Sequence, residues 1–250
     1  MKLLLTAFLI GLSITLQAQC RPATAAENEA YERVVKELQR QFTSITPSGS
    51  WKVFDEKHSM GNLEVTSEWG GFVHLCTDRY DLIMESTEVA TARKAELDTM
   101  KSTTDTPISL YVHRDTMYQE NPNAIAQRAK DSYSVSVEMN LGNYRLQDVE
   151  SARIVENVQN ISVPNSPIAF EVRLKPDLKG AVGRQETVVL LGGWNTAPVK
   201  KGQDIRYQPK FRKGGKLVEN IVVTITAPAD IARQLVAKID WKALDGVLLK

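Results

Sequence analysis

Serine, histidine and acidic residues that could act together lie between residues 64 and 76. A two-residue turn at Gly70-Gly71 would place Ser67 opposite His74 on paired strands, and a serine beside a histidine is the core of many nucleophilic sites. The same cross-strand pair also occurs in sheets without any chemistry, and no acid that would orient His74 can be identified. We therefore assign this pair no catalytic role.

Two carboxylates of the same stretch, Glu64 and Glu68, have the residue types used in glycoside hydrolysis and lie on one face of a predicted strand. Alternating acids are also typical of a strand face that water covers. Nothing in the sequence shows that either acid is desolvated. We assign neither of them a catalytic role.

Metal and cofactor chemistry have little support in the sequence. The three histidines, His58, His74 and His113, lie on separate predicted elements, and their spacing matches no paired metal site. The chain contains no G-x-S-x-G, H-E-x-x-H, Walker or dinucleotide-binding pattern. We therefore expect no cofactor and no metal, and an enzyme is less favoured than a binding protein.

A basic stretch between residues 200 and 216 is the strongest candidate for contact with a charged partner. Its segment RYQPKFR alternates as a strand does, which places Arg206, Lys210 and Arg212 on one side. Pro209 cannot donate a ladder hydrogen bond, so we predict an edge strand. The basic side chains have two interpretations: protection of that edge against pairing with other chains, or contact with an anionic partner.

The segment LLGGWN contains two glycines followed by Trp194. It predicts a strand end that turns beneath a core tryptophan, because glycines in strands commonly mark bends. The alternative is a backbone that approaches a ligand at Gly192-Gly193, with Trp194 as a stacking surface.

Cys20 and Cys76 are the only cysteines, so they form the single possible intramolecular disulfide. The alternative is that Cys76 is a buried apolar residue and that Cys20 lies in the N-terminal tail. Gln19 stands where lipoprotein processing requires a small residue, so we predict that Cys20 carries no lipid.

The N-terminus has the layout of a secretory signal peptide. Lys2 precedes an apolar run from Leu3 to Leu16, and small and polar residues follow that run. We predict a signal peptide at residues 1–18, a disordered tail at 19–26 and a soluble protein in the periplasm or the medium. A cut after Ala25 is the alternative. No segment has the roughly 20 apolar residues of a membrane-spanning helix.

The charge balance argues against nucleic acid as a partner. The chain has 31 basic and 30 acidic residues, and its formal net charge of +1 becomes zero when Lys2 is removed with the signal peptide. A neutral chain has no field that would attract nucleic acid or anionic lipid over its whole surface. Any charged partner must then bind a local patch.

Hydrophobic periodicity predicts a mixed fold in which strands dominate. Apolar spacing indicates helices at 27–42, 87–100 and 147–159, one beginning near Asn121, and two after Pro228, the second capped by Asp240. Alternating segments predict strands at 51–54, 63–69, 72–76, 80–84, 108–112, 133–139, 170–174, 187–191, 205–211 and 221–226. The predicted fold class is α+β, a largely antiparallel sheet with packed helices.

Two halves of the chain share the order helix, four strands, helix. Their first helices contain the similar segments RVVKELQ at 33–39 and RIVENVQ at 153–159. An internal duplication would explain the similarity, but amphipathic helices also resemble each other by pattern alone. The globular region, residues 27–250, is then either one domain or two subdomains at 27–131 and 132–250.

These observations favour an exported, non-catalytic binding or interaction module of the cell envelope. The export signal and the absence of catalytic motifs are the two reasons. The alternative is a hydrolase that acts on an envelope polymer. The partner would be an unidentified ligand or protein, and an anionic molecule is the candidate for the basic stretch.

Overall fold

The computed structural model of the protein describes residues 25–45, 51–59, 63–66, 72–75, 78–92, 94–95, 132–151, 153–175, 185–210 and 218–248. Several of the predicted features lie outside these segments. They are the signal peptide at residues 1–18, the Cys20–Cys76 disulfide, the lipid-free state of Cys20, the strand at 108–112, the helix near Asn121, and the residues Ser67, Glu68, His113 and Arg212.

The first described helix, α1, spans Ala25–Ser44 and extends the predicted helix by two residues at each end. Ala25 and Ala26, which belong to the predicted tail, are therefore helical. Residues 87–92 and 94–95 are also helical, within the helix predicted at 87–100. The C-terminal helices are α2 (Ala229–Lys238) and α3 (Trp241–Val247).

Strands make up most of the remaining described structure. They are β1 (Trp51–Ser59), β2 (Leu63–Thr66), β3 (Phe72–Leu75), β4 (Asp78–Ser86), β5 (Ser132–Met139), β6 (Tyr144–Gln147), β7 (Val155–Asn160), β8 (Ile168–Leu174), β9 (Gln185–Gly192), β10 (Val199–Lys201), β11 (Asp204–Tyr207) and β12 (Asn220–Thr226). Within the described segments, seven of them form one antiparallel sheet in the order β1-β4-β5-β12-β9-β8-β7. The α+β prediction is confirmed. The sheet contains strands from both suggested subdomains, because β4 pairs with β5.

One face of the seven-stranded sheet carries the main hydrophobic core. The alternation predicted for residues 133–139 is confirmed, since Tyr133, Val135, Val137 and Met139 are buried and the polar residues between them are only partly buried. The apolar side chains of α1, α2 and α3 pack into the same core. Removal of this apolar surface from water is the main stabilising contribution to the fold.

A second sheet covers part of the opposite face. It contains β10, β11 and β6 in that order. Tyr144 of β6 and Tyr207 of β11 pack on Phe170 of β8, with ring centroids 6.0 and 5.8 Å from that of Phe170. The same cluster includes Ile168, Val188, Leu190, Trp194 and Val222. The small sheet therefore lies over β8 and β9, and Asp81, Ile83, Ser134, Ser136 and Glu138 on the same face of β4 and β5 are only partly buried.

The C-terminal helices pack beside the N-terminal helix. Asp240 caps α3, as the sequence indicates, because its Oδ1 accepts a hydrogen bond of 2.9 Å from the Ala243 N–H. The Gln41 Oε1 of α1 accepts a hydrogen bond of 3.0 Å from the Asp240 N–H. Trp241 and Leu244 of α3 are buried in the main core. These helices are therefore part of the core.

The predicted helix at residues 147–159 is wrong. Asp148 and Arg153 form an isolated antiparallel bridge, and β7 pairs with β8 at the edge of the large sheet. Val155 and Val158 fit a helical stripe, but β-branched residues also favour strands when a partner strand is available. The segment RIVENVQ is thus not a helical counterpart of RVVKELQ, and the second half does not begin with a helix.

The register predicted for the first hairpin is also wrong. Glu64, and not Ser67, lies opposite His74, and Val65 lies opposite Val73. A pair of glycines identifies a turn but does not determine its length. His74 is therefore not the cross-strand partner of Ser67.

Candidate functional site

A cleft of about 930 Å³ lies beside the small sheet, on the partly buried half of the large sheet. Its floor comes from β4, β5 and β12, flanked by β1 on one side and by β6 with the chain that follows it on the other. The lining residues are Asp55, Lys57, Arg79, Asp81, Leu82, Ile83, Ser134, Val135, Ser136, Glu138, Leu141, Asn143, Tyr144, Arg145, Arg153, Glu186, Thr224 and Thr226. Because this concave surface gathers polar groups from distant parts of the chain, it is the candidate functional site.

Strand register arranges the floor of the cleft in rows. One row runs from Lys57 on β1 through Asp81, Ser136 and Thr224 to Val188 on β9. Directly opposed residues in antiparallel strands have Cβ atoms about 4.5–5.5 Å apart. The row therefore changes from charged to hydroxyl-bearing to apolar across the sheet, and the apolar end is covered by the small sheet.

Four hydroxyl groups meet in the middle of the floor. Ser136 lies opposite Thr224, and in the next row Ser134 lies opposite Thr226. No hydrogen bond from another described residue reaches these four hydroxyls. Each hydroxyl can donate one hydrogen bond and accept two, so these groups are available to water or to a ligand.

Ion pairs hold the charged side chains on the β1 and β4 side of the cleft. Lys57 Nζ lies 2.8 Å from Asp55 Oδ2, and Arg79 Nε lies 2.7 Å from Asp81 Oδ2. Each pair joins residues on the same face of a single strand. These exposed pairs add little to stability, but within each pair the two charges compensate each other.

A second pair of charged residues lies at the opposite wall. Arg145 donates a hydrogen bond to the Asp148 carboxylate, and this bond, together with one from the Ser151 hydroxyl, lowers the pKa of Asp148 to about 2. The Asp148 side chain is almost completely buried, whereas that of Arg145 is partly exposed in the cleft.

Arg153 joins this wall to the floor. Its Nη2 donates to Glu186 Oε2 at 2.7 Å and to the Tyr144 hydroxyl at 2.9 Å, and its Nε donates to the Leu146 carbonyl at 3.1 Å. Burial raises the pKa of Tyr144, so its hydroxyl stays protonated and neutral. Three separate contacts thus hold the guanidinium in one orientation.

Glu138 is the one carboxylate of the described cleft lining without such a partner. It lies on β5 directly opposite Arg79, but the Arg79 guanidinium binds Asp81 on its own strand. No hydrogen bond or ion pair from another described residue reaches the Glu138 carboxyl group. Partial burial raises its pKa, and the nearby Asp81 acts in the same direction, whereas Arg79 and Arg153 oppose the rise. The charge of Glu138 is therefore incompletely compensated.

The described histidines and the described hairpin acid, which are His58, His74 and Glu64, do not line this cleft. His58 is exposed on β1, and it does not line the cleft. His74 and Glu64 belong to the separate two-stranded sheet of β2 and β3. The structure therefore brings none of these described candidates together with the polar floor.

The edge-strand prediction for the basic stretch is wrong. β11 is the central strand of the small sheet, because it pairs with both β10 and β6. Arg206 Nη2 lies 2.9 Å from Asp204 Oδ2, so its charge is compensated within the strand. Pro209 lies beyond the end of β11, so the proline marks the strand's end instead of an edge. Lys210 is exposed, and contact of Arg206, Lys210 and Arg212 with an anionic partner stays a prediction.

The structure confirms the interpretation of LLGGWN as a strand end over a core tryptophan. Gly192 has a φ of +82°, and a Cβ atom there would lie 2.3 Å from the Glu219 carbonyl oxygen. Trp194 is buried, and its Nε1 donates a hydrogen bond of 3.1 Å to the Leu191 carbonyl. Trp194 therefore offers no stacking surface to a ligand.

Part of the site is recognisable in the sequence. Ser134, Ser136 and Glu138 alternate with the apolar residues of β5, which places them on the face away from the main core. Their partners Asp81 and Thr224 come from distant segments. Alternation cannot tell which strands are neighbours, so it does not show that three polar strand faces form one cleft.

Comparison with known proteins gives no match: no family model, no curated protein and no solved structure is similar to this chain. Every helix in the described segments is too short or too polar to cross a membrane. The geometry and chemistry of the cleft therefore carry the functional argument.

Proposed function

We propose that this protein is an exported, non-catalytic binding module of the cell envelope that holds a polar ligand in the cleft. The observation that carries the proposal is the group of four hydroxyls without a hydrogen-bond partner among the described residues, at Ser134, Ser136, Thr224 and Thr226. They lie on paired strands of the large sheet, between the ion pairs Arg79–Asp81 and Arg153–Glu186. Such a preformed surface binds a ligand with little loss of conformational entropy.

The chemistry of the floor favours a ligand rich in hydroxyl or amide groups. Successive rows lie about 7 Å apart along the strands, since two residues of an antiparallel strand rise about 6.8 Å. Tyr144, the one aromatic residue in the described lining, is buried and offers little ring surface for stacking. Hydrogen bonds would therefore provide most of the specificity. The apolar run at Leu3 to Leu16 supports export, so soluble fragments of envelope glycopeptide are the first ligands to test.

A backbone-amide NMR titration with peptidoglycan fragments tests the proposal. Chemical-shift changes should concentrate on β4, β5 and β12. The double variant Ser136→Ala with Thr224→Val should weaken binding by about tenfold or more, because two hydrogen bonds to the ligand are lost. Thr196→Val makes the same change as Thr224→Val in an exposed loop and should bind as the wild type does. Equal binding by all of these proteins, or shifts spread over the whole surface, would contradict the proposal.

A hydrolase that acts on an envelope polymer is the second candidate, and one observation favours it. Asp81 is ion-paired with Arg79, whereas no described residue forms an ion pair with Glu138, and burial raises the pKa of Glu138. Two nearby carboxyls in different environments are the pattern of acid–base catalysis. Incubation with the intact polymer separates the two candidates. A hydrolase would release soluble fragments, and Glu138→Gln would abolish the release, whereas a binding module would release none.

A further inference from the structure

Each ionised side chain of the described cleft lining contacts an opposite charge except at one position, and Arg145 does so through Asp148, which lies outside the lining. Asp55, Asp81 and Glu186 each contact a lysine or arginine at 2.7–2.8 Å. Glu138 has no such contact with any described residue, although it lies opposite Arg79 in the strand register. A carboxylate that is partly withdrawn from water is unfavourable without a cation. One negative charge in the cleft therefore lacks a partner within the described structure.

The surroundings of Glu138 are suited to a particular kind of cation. Ser136 lies two residues away on the same face of β5, and Thr224 lies opposite Ser136 on β12. Both hydroxyls lack a partner among the described residues. Val222 lies opposite Glu138 on β12 and gives that side of the carboxylate an apolar neighbour. Oxygen acceptors on one side and an apolar contact on the other match a charged group at the end of an aliphatic chain.

We propose that the ligand carries a primary ammonium group, which binds the Glu138 carboxylate and the hydroxyls of Ser136 and Thr224. This inference rests on the proposed role of the cleft as a ligand site, and it specifies the charge of the ligand at that point. An ammonium group has three donors that point in different directions and can reach three separate oxygen acceptors. A guanidinium is planar and is better matched to one bidentate carboxylate.

Binding of the ammonium group depends on pH through Glu138. The charged groups around it are Arg79 and Asp81 on β4, Lys57 and Asp55 on β1, Arg145 on β6, Arg153 after β6, and Glu186 on β9. Protonation of Glu138 removes its attraction for a cation. Because burial raises the pKa of Glu138, the loss of binding on acidification begins at a higher pH than for an exposed glutamic acid.

Two matched peptides test this inference. One is acetyl-Gly-Lys-Gly-amide, and the other has the lysine side chain acetylated, so that a neutral acetamide replaces the ammonium group on the same aliphatic chain. In NMR titrations of the wild type at neutral pH, the amine peptide should bind about tenfold or more tightly than the acetylated one. Glu138→Gln should reduce binding of the amine peptide to that of the acetylated peptide. Glu171→Gln, on the opposite face of the sheet, should leave both affinities unchanged.

Any other outcome of these peptide titrations contradicts the inference. Equal binding of the two peptides in the cleft would show that no ammonium group is recognised, while the cleft itself would stand as a ligand site. If neither peptide binds at millimolar concentration, the ammonium site is likewise contradicted. The proposed function is then tested separately by the titration with glycopeptide fragments. An equal loss of affinity for both peptides in Glu138→Gln would assign Glu138 a structural role.

Discussion

Arg153 and Glu186 form an ion pair of 2.7 Å that joins the chain after β6 to β9, and thereby the small sheet to the large one. Their side chains are only 19% and 4% exposed. The Arg153 guanidinium also donates to the Tyr144 hydroxyl and to the Leu146 carbonyl, so β6 is held through side chain and backbone alike. The pair lies between the cleft and the aromatic cluster around Phe170. It therefore fixes the position of the β6 wall relative to the floor of the cleft.

Glu186→Leu should destabilise the protein by about 3 kcal/mol, because it leaves the Arg153 charge buried without its partner. The double variant with Arg153→Met should recover a large part of this loss, because no uncompensated charge then remains. Chemical denaturation of the wild type, both single variants and the double variant measures the coupling. Strict additivity of the two single effects would show that the pair contributes nothing of its own.

Gly192→Ala should destabilise the protein by about 3 kcal/mol, through strain at a positive φ and a clash with the Glu219 carbonyl. Gly202 also has a positive φ, of +61°, but a Cβ atom there would meet no atom within 4 Å. Gly202→Ala should therefore cost only about 1 kcal/mol, which isolates the strain from the clash. Gly142→Ala, with open space around it, serves as the neutral control. Similar unfolding midpoints for the Gly192 and Gly202 variants would contradict the close approach of β9 to Glu219.

Glu138→Gln should stabilise the protein at neutral pH, by less than about 1 kcal/mol because the carboxyl is only partly buried. Burial raises the pKa of Glu138, so the folded protein binds this proton more tightly than the unfolded chain does. The contribution of Glu138 to the free energy of unfolding therefore falls as the pH rises through the pKa of this residue in the folded protein. A glutamine does not ionise, so the variant does not undergo this decrease.

Thermal unfolding over a range of pH checks this sign. The wild type and Glu138→Gln should differ at neutral pH and converge in acid, where Glu138 is protonated in both the folded and the unfolded state. A variant that is more stable but binds more weakly has the behaviour expected of a functional residue. A lower melting temperature for the variant at neutral pH would mean that the carboxylate has a stabilising partner.

Asp148 should contribute to the acid sensitivity of the fold. Hydrogen bonds from Arg145 and Ser151 lower its pKa from an ordinary value of 3.8 to about 2. Its stabilising contribution is therefore complete above 3.8 and is lost as the pH falls toward 2. Asp148→Asn should flatten the decline of the free energy of unfolding in this interval, measured by denaturant titration at several pH values. Glu150→Gln, at an exposed position in the same turn, should leave the slope unchanged.

Elements whose pattern depends on residues within one segment are predictable from this sequence. The burial of Tyr133, Val135 and Val137 follows from strict alternation, and α1 follows from its apolar stripe. The segment at 147–159 fails because its apolar spacing is compatible with both helix and strand, and pairing with β8 decides between them. The β2–β3 register fails because a glycine pair does not determine which residues pair on the flanking strands.

The candidate site is less predictable than the fold, for a related reason. Glu138 is recognisable as a residue on the face of β5 away from the core. Whether its charge is compensated depends on Arg79, which lies opposite Glu138 but binds Asp81. A sequence does not show which of two available carboxylates an arginine selects. The four hydroxyls likewise become one group only when β5 and β12 are neighbours.

The hydrogen bond between Gln41 of α1 and Asp240, the cap of α3, joins residues that are 199 positions apart. All strands of the large sheet, on which both helices pack, lie between these two residues in the sequence. Contacts of such separation form late in folding, because the entropy of closing a long loop must be overcome first. We therefore expect the growing chain to remain without its native core until α3 has been synthesised. Slow folding of this kind would suit the proposed export, since a chain that is still unfolded can pass through a channel too narrow for the finished sheet.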